Sequence, residues 1–281
     1  MEPAASRALA RSYLFVPADR PDRFDKAWDS PADEVILDLE DAVAPERKAA
    51  AREAVAAWLD PRRPVWLRVN ALDTPWFEQD LALVAAPGVA GVMLPKAETV
   101  PTELDLLCER RGTGLMPLIE TAQGLRRAFE LARTPGVVRL AFGAIDFQLD
   151  LAIEDEGEGL LFFRSQLVWQ SRLAGLPPPV DGVSLLLDDA EAMHREAHQS
   201  RRLGFGARLC IHPRQVAAVN DAFAPGPQER AWAARVCEAM QGAAGGAVAV
   251  DGRMVDRPVW LKAQRILAAP EPGRPARLRT V

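Results

Sequence analysis

Short apolar runs recur along the chain, and between them the hydrophobic positions return every three to four residues. Runs at 12–16, 35–39, 65–69, 91–94, 115–119, 137–142, 182–187 and 207–211 read as strands. The stretches at 22–29, 46–58, 76–85, 103–111, 124–132, 160–174 and 190–203 carry the helical period. Eight strand signals joined by helical crossovers predict a closed parallel sheet, the α/β architecture of a (β/α)8 barrel. An open doubly wound sheet would show the same periodicity, but no G-x-G-x-x-G follows the first strand run.

Beyond Phe223 the pattern changes. Pro225, Gly226 and Pro227 interrupt it before a helical run at 228–240, and Gly242, Gly245 and Gly246 precede a short apolar segment at 247–250. Asp251-Gly252 is a turn signal, and 259–267 reads as a helix with Pro258 suited to its first turn. This divides the chain into a barrel over 1–223, the expected catalytic domain, and a C-terminal helical appendage over 224–281. The Pro- and Arg-rich 270–281 is expected to be a mobile tail.

Composition narrows the function. The 281 residues carry a formal net charge of -5, with no basic stripe or lysine-rich tail to meet phosphates, so neither nucleic acid nor a membrane surface is an expected partner. No apolar stretch approaches the ~20 residues of a membrane span, and 1–11 lacks the apolar segment of a secretory signal. The expected location is cytoplasmic. Cys108, Cys210 and Cys237 are odd in number and far apart, which fits apolar filling better than a disulfide framework or a zinc knuckle.

Three of the apolar runs lead into carboxylates: Asp38-Leu39-Glu40-Asp41, Glu120 and Asp146. At the C-terminal end of barrel strands such acids become candidate metal ligands. Mg²⁺ accepts one or two protein carboxylates and leaves its other positions to water and substrate, which Glu120 and Asp146 can supply. For a single acid, capping of the next helix or pairing with an arginine is the competing explanation. Alternation puts Asp38 and Glu40 on the face opposite Leu39 and Asp41, so one or two of these acids are expected to hold Lys96 or Arg68 behind the site. Arg68 lies in an otherwise apolar run and needs anionic partners, a substrate oxygen or Glu40 and Asp41. Lys96 follows a strand, where a carboxylate partner is a more ordinary role than a Schiff base. His212 reads as a hydrogen-bonded structural histidine, and His194 with His198 as a solvated helix face without a third ligand.

Six segments together carry a resemblance: SYLFVPADRP at 12–21, ILDLEDAV at 36–43, LPKAE at 94–98, IETAQG at 119–124, FGAID at 142–146 and IHPRQ at 211–215. They resemble, in order, the citrate lyase beta-subunit-like (CitE-like) family of the HpcH/HpaI aldolase group. The resemblance implies a TIM barrel, Mg²⁺ on Glu120 and Asp146, Arg68 at the substrate, an acyl-CoA or acyl-carrier thioester as substrate, and a homotrimer. It also implies that Arg20 and Lys26 lie near the CoA phosphates. Asp256, which could equally cap the helix near Pro258, corresponds to an acid or base lent to a neighbouring subunit. Ala152 stands where the family usually has glycine, and Leu186 where related sequences often have Asp.

The implied activity is Mg²⁺-dependent carbon–carbon cleavage or formation of a β-hydroxyacyl-CoA such as citramalyl-CoA or malyl-CoA. Three other classes compete with it. They are the beta subunit of a multi-subunit citrate lyase acting on a carrier thioester, a free-acid aldolase, and a non-catalytic CoA- or oxo-acid-binding protein.

Overall fold

Eight parallel strands close into a barrel in which each strand pairs with the next and β1 pairs with β8. The computed structural model describes residues 9–155, 157–241 and 246–269, so the tail expected at 270–281 and Gly242 and Gly245 lie outside the described residues. The strands are β1 Ser12–Pro17, β2 Glu34–Asp38, β3 Val65–Arg68, β4 Val89–Leu94, β5 Gly114–Ile119, β6 Ala141–Phe142, β7 Val180–Asp181 and β8 Ala207–Cys210. Around them run α1 Phe24–Trp28, α2 Lys48–Trp58, α3 Phe77–Val84, α4 Thr102–Arg111, α5 Ala122–Arg126, α6 Ala128–Ala132, α7 Ala144–Leu151, α8 Glu158–Leu173, α9 Ala190–Leu203 and α10 Pro213–Phe223.

Strand alternation divides the core in two. One set, including Tyr13, Ile36, Trp66, Met93, Met116, Ala141, Val180 and Ala207, draws on all eight strands and fills the barrel interior. The opposite parity, such as Leu37, Leu67, Val92 and Leu115, packs against the helices. Trp66 is the bulkiest interior residue and dictates its neighbours. A Cβ at Gly91 would come within 2.3 Å of its ring, so only glycine fits beside it.

The chain departs from the sequence pattern on one side. The expected seventh strand, 182–187, is a loop in which Leu185, Leu186 and Leu187 are exposed; the strand is the pair before it, Val180–Asp181. The expected 137–142 strand pairs only at Ala141–Phe142, with Val137 contributing an isolated bridge to Leu115. Ala144 and Ile145, apolar enough to read as strand, begin α7.

After α10, α11 Pro227–Gln241 and α12 Arg257–Ala268 pack around a small antiparallel hairpin, β9 Val248–Val250 and β10 Arg253–Val255. Ala233, Val236, Val255 and Ala263 give this region an apolar cluster of its own. Among the described residues no helix is long and apolar enough to cross a membrane. The three cysteines are free, Cys108 and Cys210 buried.

Candidate active site

The inward parity that fills the barrel continues to its C-terminal mouth, where it turns polar. Two residues beyond Ile36, Trp66 and Leu118 on the same face come Asp38, Arg68 and Glu120. The register of β2 and β3 sets Asp38 directly beside Arg68. Asp146 reaches the same place from the first turn of α7. These four groups line a cavity of about 270 Å³ whose other wall is apolar, formed by Phe15, Leu118, Val183, Leu209 and Ile211.

Arg68 is clamped. Its Nε and Nη2 donate to the two oxygens of Asp38 at 2.7 and 2.6 Å, its Nη1 lies 3.0 Å from Glu40 Oε2, and its guanidinium stacks over the Phe15 ring at 4.7 Å. Burial works against its charge, but Asp38 and Glu40 outweigh burial and hold the guanidinium firmly protonated. Lys96 has a left-handed backbone, φ +46°, an uncommon conformation outside glycine. That twist lets one residue serve two acids: its backbone N–H donates to Glu120 Oε2 at 2.7 Å and its Nζ to Glu40 Oε1 at 2.5 Å, with Asp41 3.5 Å away. Behind the acids, the buried Lys48 donates to the carbonyls of Leu39 and Glu40 at 2.6 and 2.8 Å and fixes the turn that carries them.

The donors present fit a divalent cation. Glu120 is 2% exposed, and burial, then Glu40, push its carboxyl up to about 8 despite the nearby Arg68. A carboxyl so strained by burial gains from a cation at its free oxygen. Among the described residues no group of three or more His, Cys, Asp or Glu gathers in metal-binding geometry. Two hard oxygen donors on a cavity match magnesium, which fills the rest of its octahedron from water and substrate, better than zinc. The arrangement depends on Gly143, where a Cβ would lie 2.2 Å from Glu120 Cγ.

The remaining sequence-predicted groups are placed as follows. Asp41 is exposed at the cavity edge, while Asp38 and Glu40 both face Arg68. Arg20, after β1, pairs with Asp22 at 2.8 Å, and Lys26 is exposed on α1; neither lines the cavity. Asp256 caps α12, accepting from Val259 N–H at 3.3 Å, and does not line the cavity of its own chain. His212 caps α10 through Nδ1, and His194 and His198 stack on the exposed face of α9. Ala152, in place of glycine, ends α7 in a left-handed conformation, φ +53°. Lys48 escaped the sequence reading, since a lysine inside a helical run is ordinarily solvated.

The chain matches the family model for HpcH/HpaI aldolase/citrate lyase over residues 11–213. It is 38% identical to a citrate lyase subunit beta-like protein of Deinococcus radiodurans, covering 94% of this chain and 98% of that one. It is 34% identical to the citrate lyase subunit beta of Escherichia coli strain K12, with 93% of each covered. Among solved structures it resembles the protein CitE from Mycobacterium tuberculosis in complex with magnesium, acetoacetate and coenzyme A, at a TM-score of 0.81 and 36% identity, covering 93% and 98% of the two chains.

Proposed function

The chain belongs to the HpcH/HpaI aldolase/citrate lyase family, and on that premise we propose that it is a Mg²⁺-dependent lyase. It cleaves, or in reverse forms, a β-hydroxyacyl-CoA such as citramalyl-CoA or malyl-CoA, with an acyl-CoA and a 2-oxo acid as the other side of the reaction. The observation that carries the reading is the single cavity on which Glu120, Asp146 and Arg68 converge at the C-terminal mouth of the barrel.

Glu120 and Asp146 would hold Mg²⁺, which supplies Lewis acidity toward the carboxylate and hydroxyl of the oxo-acid portion. Arg68, fixed by Asp38 and Glu40, retains N–H groups beyond the two that Asp38 takes and stabilises oxygen charge as it develops, an effect often worth ~3 kcal/mol. The hydroxyl loses its proton and becomes the carbonyl of the 2-oxo acid. The Cα–Cβ electron pair passes to the thioester as an enolate, which then takes a proton at Cα. Asp256, lent by a neighbouring copy in a homotrimer, exchanges these protons. Arg20 and Lys26 meet the CoA phosphates, Lys96 and Glu40 brace the site, and Asp41 stands at its edge. In this reading 1–223 is the catalytic barrel, 224–281 reaches the next subunit, and the protein works in the cytoplasm.

Incubation of the purified protein with both stereoisomers of citramalyl-CoA and malyl-CoA, in Mg²⁺ or in EDTA, tests the proposal. Mg²⁺-dependent release of acyl-CoA is the expected result, and intact thioesters in every incubation would refute it. The likeness to the E. coli citrate lyase subunit beta favours a second reading, a carrier-dependent subunit, which co-purification of partner subunits would reveal.

A further inference from the structure

A second cavity, of about 210 Å³, lies outside the barrel wall between α7, α8, α9 and the outer faces of β7 and β8. Because Val180 and Ala207 point into the barrel, Asp181 and Arg208 point out toward the helices. Much of that layer is apolar, as Val92, Leu104 and Leu131 illustrate. Here it holds charge: Arg164 is 9% exposed, Arg208 7% and Asp181 2%.

Both guanidiniums converge on one hydroxyl. Ser200 Oγ accepts from Arg164 Nη2 at 3.2 Å and from Arg208 Nη1 at 3.0 Å, and donates to Asp181 Oδ2 at 2.5 Å. Arg164 Nη2 also pairs with Asp181, and Arg208 Nη2 with Glu196 at 2.9 Å. Donors are left over. Among the described residues, Nε and Nη1 of Arg164 meet no acceptor, and Nε of Arg208 is buried without one. Each guanidinium is balanced by one carboxylate, yet both keep N–H groups unspent beside a cavity, and a buried donor without an acceptor is the part of the arrangement that a ligand oxygen would satisfy.

We propose that this cavity binds a small monocarboxylate, held by Arg164 and Arg208. Asp181 and Glu196 already offset the two guanidiniums, so a monoanion is accommodated where a phosphate dianion is repelled. The space, several times the ~30 Å³ share of one water, admits an acid of a few carbons. Ala144, Ile145 and Val183 wall both cavities, yet neither Glu120 nor Asp146 lines this one, so binding needs no metal.

Titration calorimetry of the whole chain in EDTA, with propionate and with inorganic phosphate, tests the assignment. Propionate should bind once per chain, with phosphate at least about tenfold weaker. Arg164→Gln should weaken propionate on the order of tenfold, while Asp146→Asn leaves it unchanged. Should the Arg164 variant fail to fold, Gln199→Glu at the exposed rim places a repelling charge at the mouth and should weaken binding likewise. The proposal is overturned by the absence of propionate binding at millimolar concentration, by binding that survives both cavity variants, or by phosphate binding more tightly than propionate.

Discussion

Gly143→Ala puts the metal site under a measurable load. The substituted Cβ would sit 2.2 Å from Glu120 Cγ, 2.5 Å from Oε1 and 2.8 Å from Cδ, all inside the closest approach that carbon tolerates. The backbone is no obstacle, since Gly143 has φ -94°, open to alanine. Glu120 must therefore move. It is buried, and its Oε2 accepts from the Lys96 N–H at 2.7 Å, so displacement breaks a buried hydrogen bond and overpacks the mouth of the barrel. Together these cost about 2–4 kcal/mol of stability. Magnesium affinity should fall on the order of 100-fold, the scale on which loss of a supporting contact acts at a metal site. Calorimetric titration of Mg²⁺, alongside urea unfolding and circular dichroism, separates the two effects. A folded Gly143→Ala protein that binds Mg²⁺ with wild-type affinity would show that Glu120 is not a ligand.

Four further outcomes are expected. In EDTA, burial holds the Glu120 carboxyl at about 8, so folding retains a proton that the unfolded chain releases near the ordinary carboxylate value. Its contribution to stability then falls as pH rises through that interval, and Glu120→Gln should gain on the wild type between pH 6 and pH 8 by up to ~1.4 kcal/mol per unit; equal slopes in paired melts would refute this. Lys48→Met leaves the Leu39 and Glu40 carbonyls unpaired and should cost about 1–3 kcal/mol in urea unfolding. Ala152→Gly removes the left-handed strain at φ +53° and should raise stability by about 0.5–1 kcal/mol, read as a higher unfolding midpoint. Asp256→Ala should cost about 1 kcal/mol as a lost cap; a loss of turnover of 100-fold or more at that modest price would mark it as catalytic, and unchanged turnover as a cap alone.

The first five strands and the eighth were legible because each is a run of apolar residues bounded by turns, and inward and outward positions both need apolar side chains. The sixth and seventh were not. β7 is two residues, and one of them, Asp181, points outward into a buried ion network that no apolar pattern announces. The exposed Leu185, Leu186 and Leu187 attracted the strand assignment instead. α10 was missed although His212 and Gln215 form its capping box and Pro213 opens its first turn, because a histidine is a rare N-cap. At the site, residue types and strand ends pointed to Glu120, Asp146 and Arg68. Which acid clamps the arginine is a matter of register, and Asp38 emerges only once β2 and β3 are paired.

The barrel closes unevenly. β1 and β2 share five register pairs, whereas β6 and β7 meet through Ala141 and Val180 alone. A ring with one weak link opens there first, so backbone amide exchange should be fastest along that seam and slowest across β1 to β5. Both cavities border it, through Ala144 after β6 and Val183 after β7. The least cooperative stretch of the wall is thus also the one that ligands can tighten, and occupancy of either cavity should register as slowed exchange at the seam.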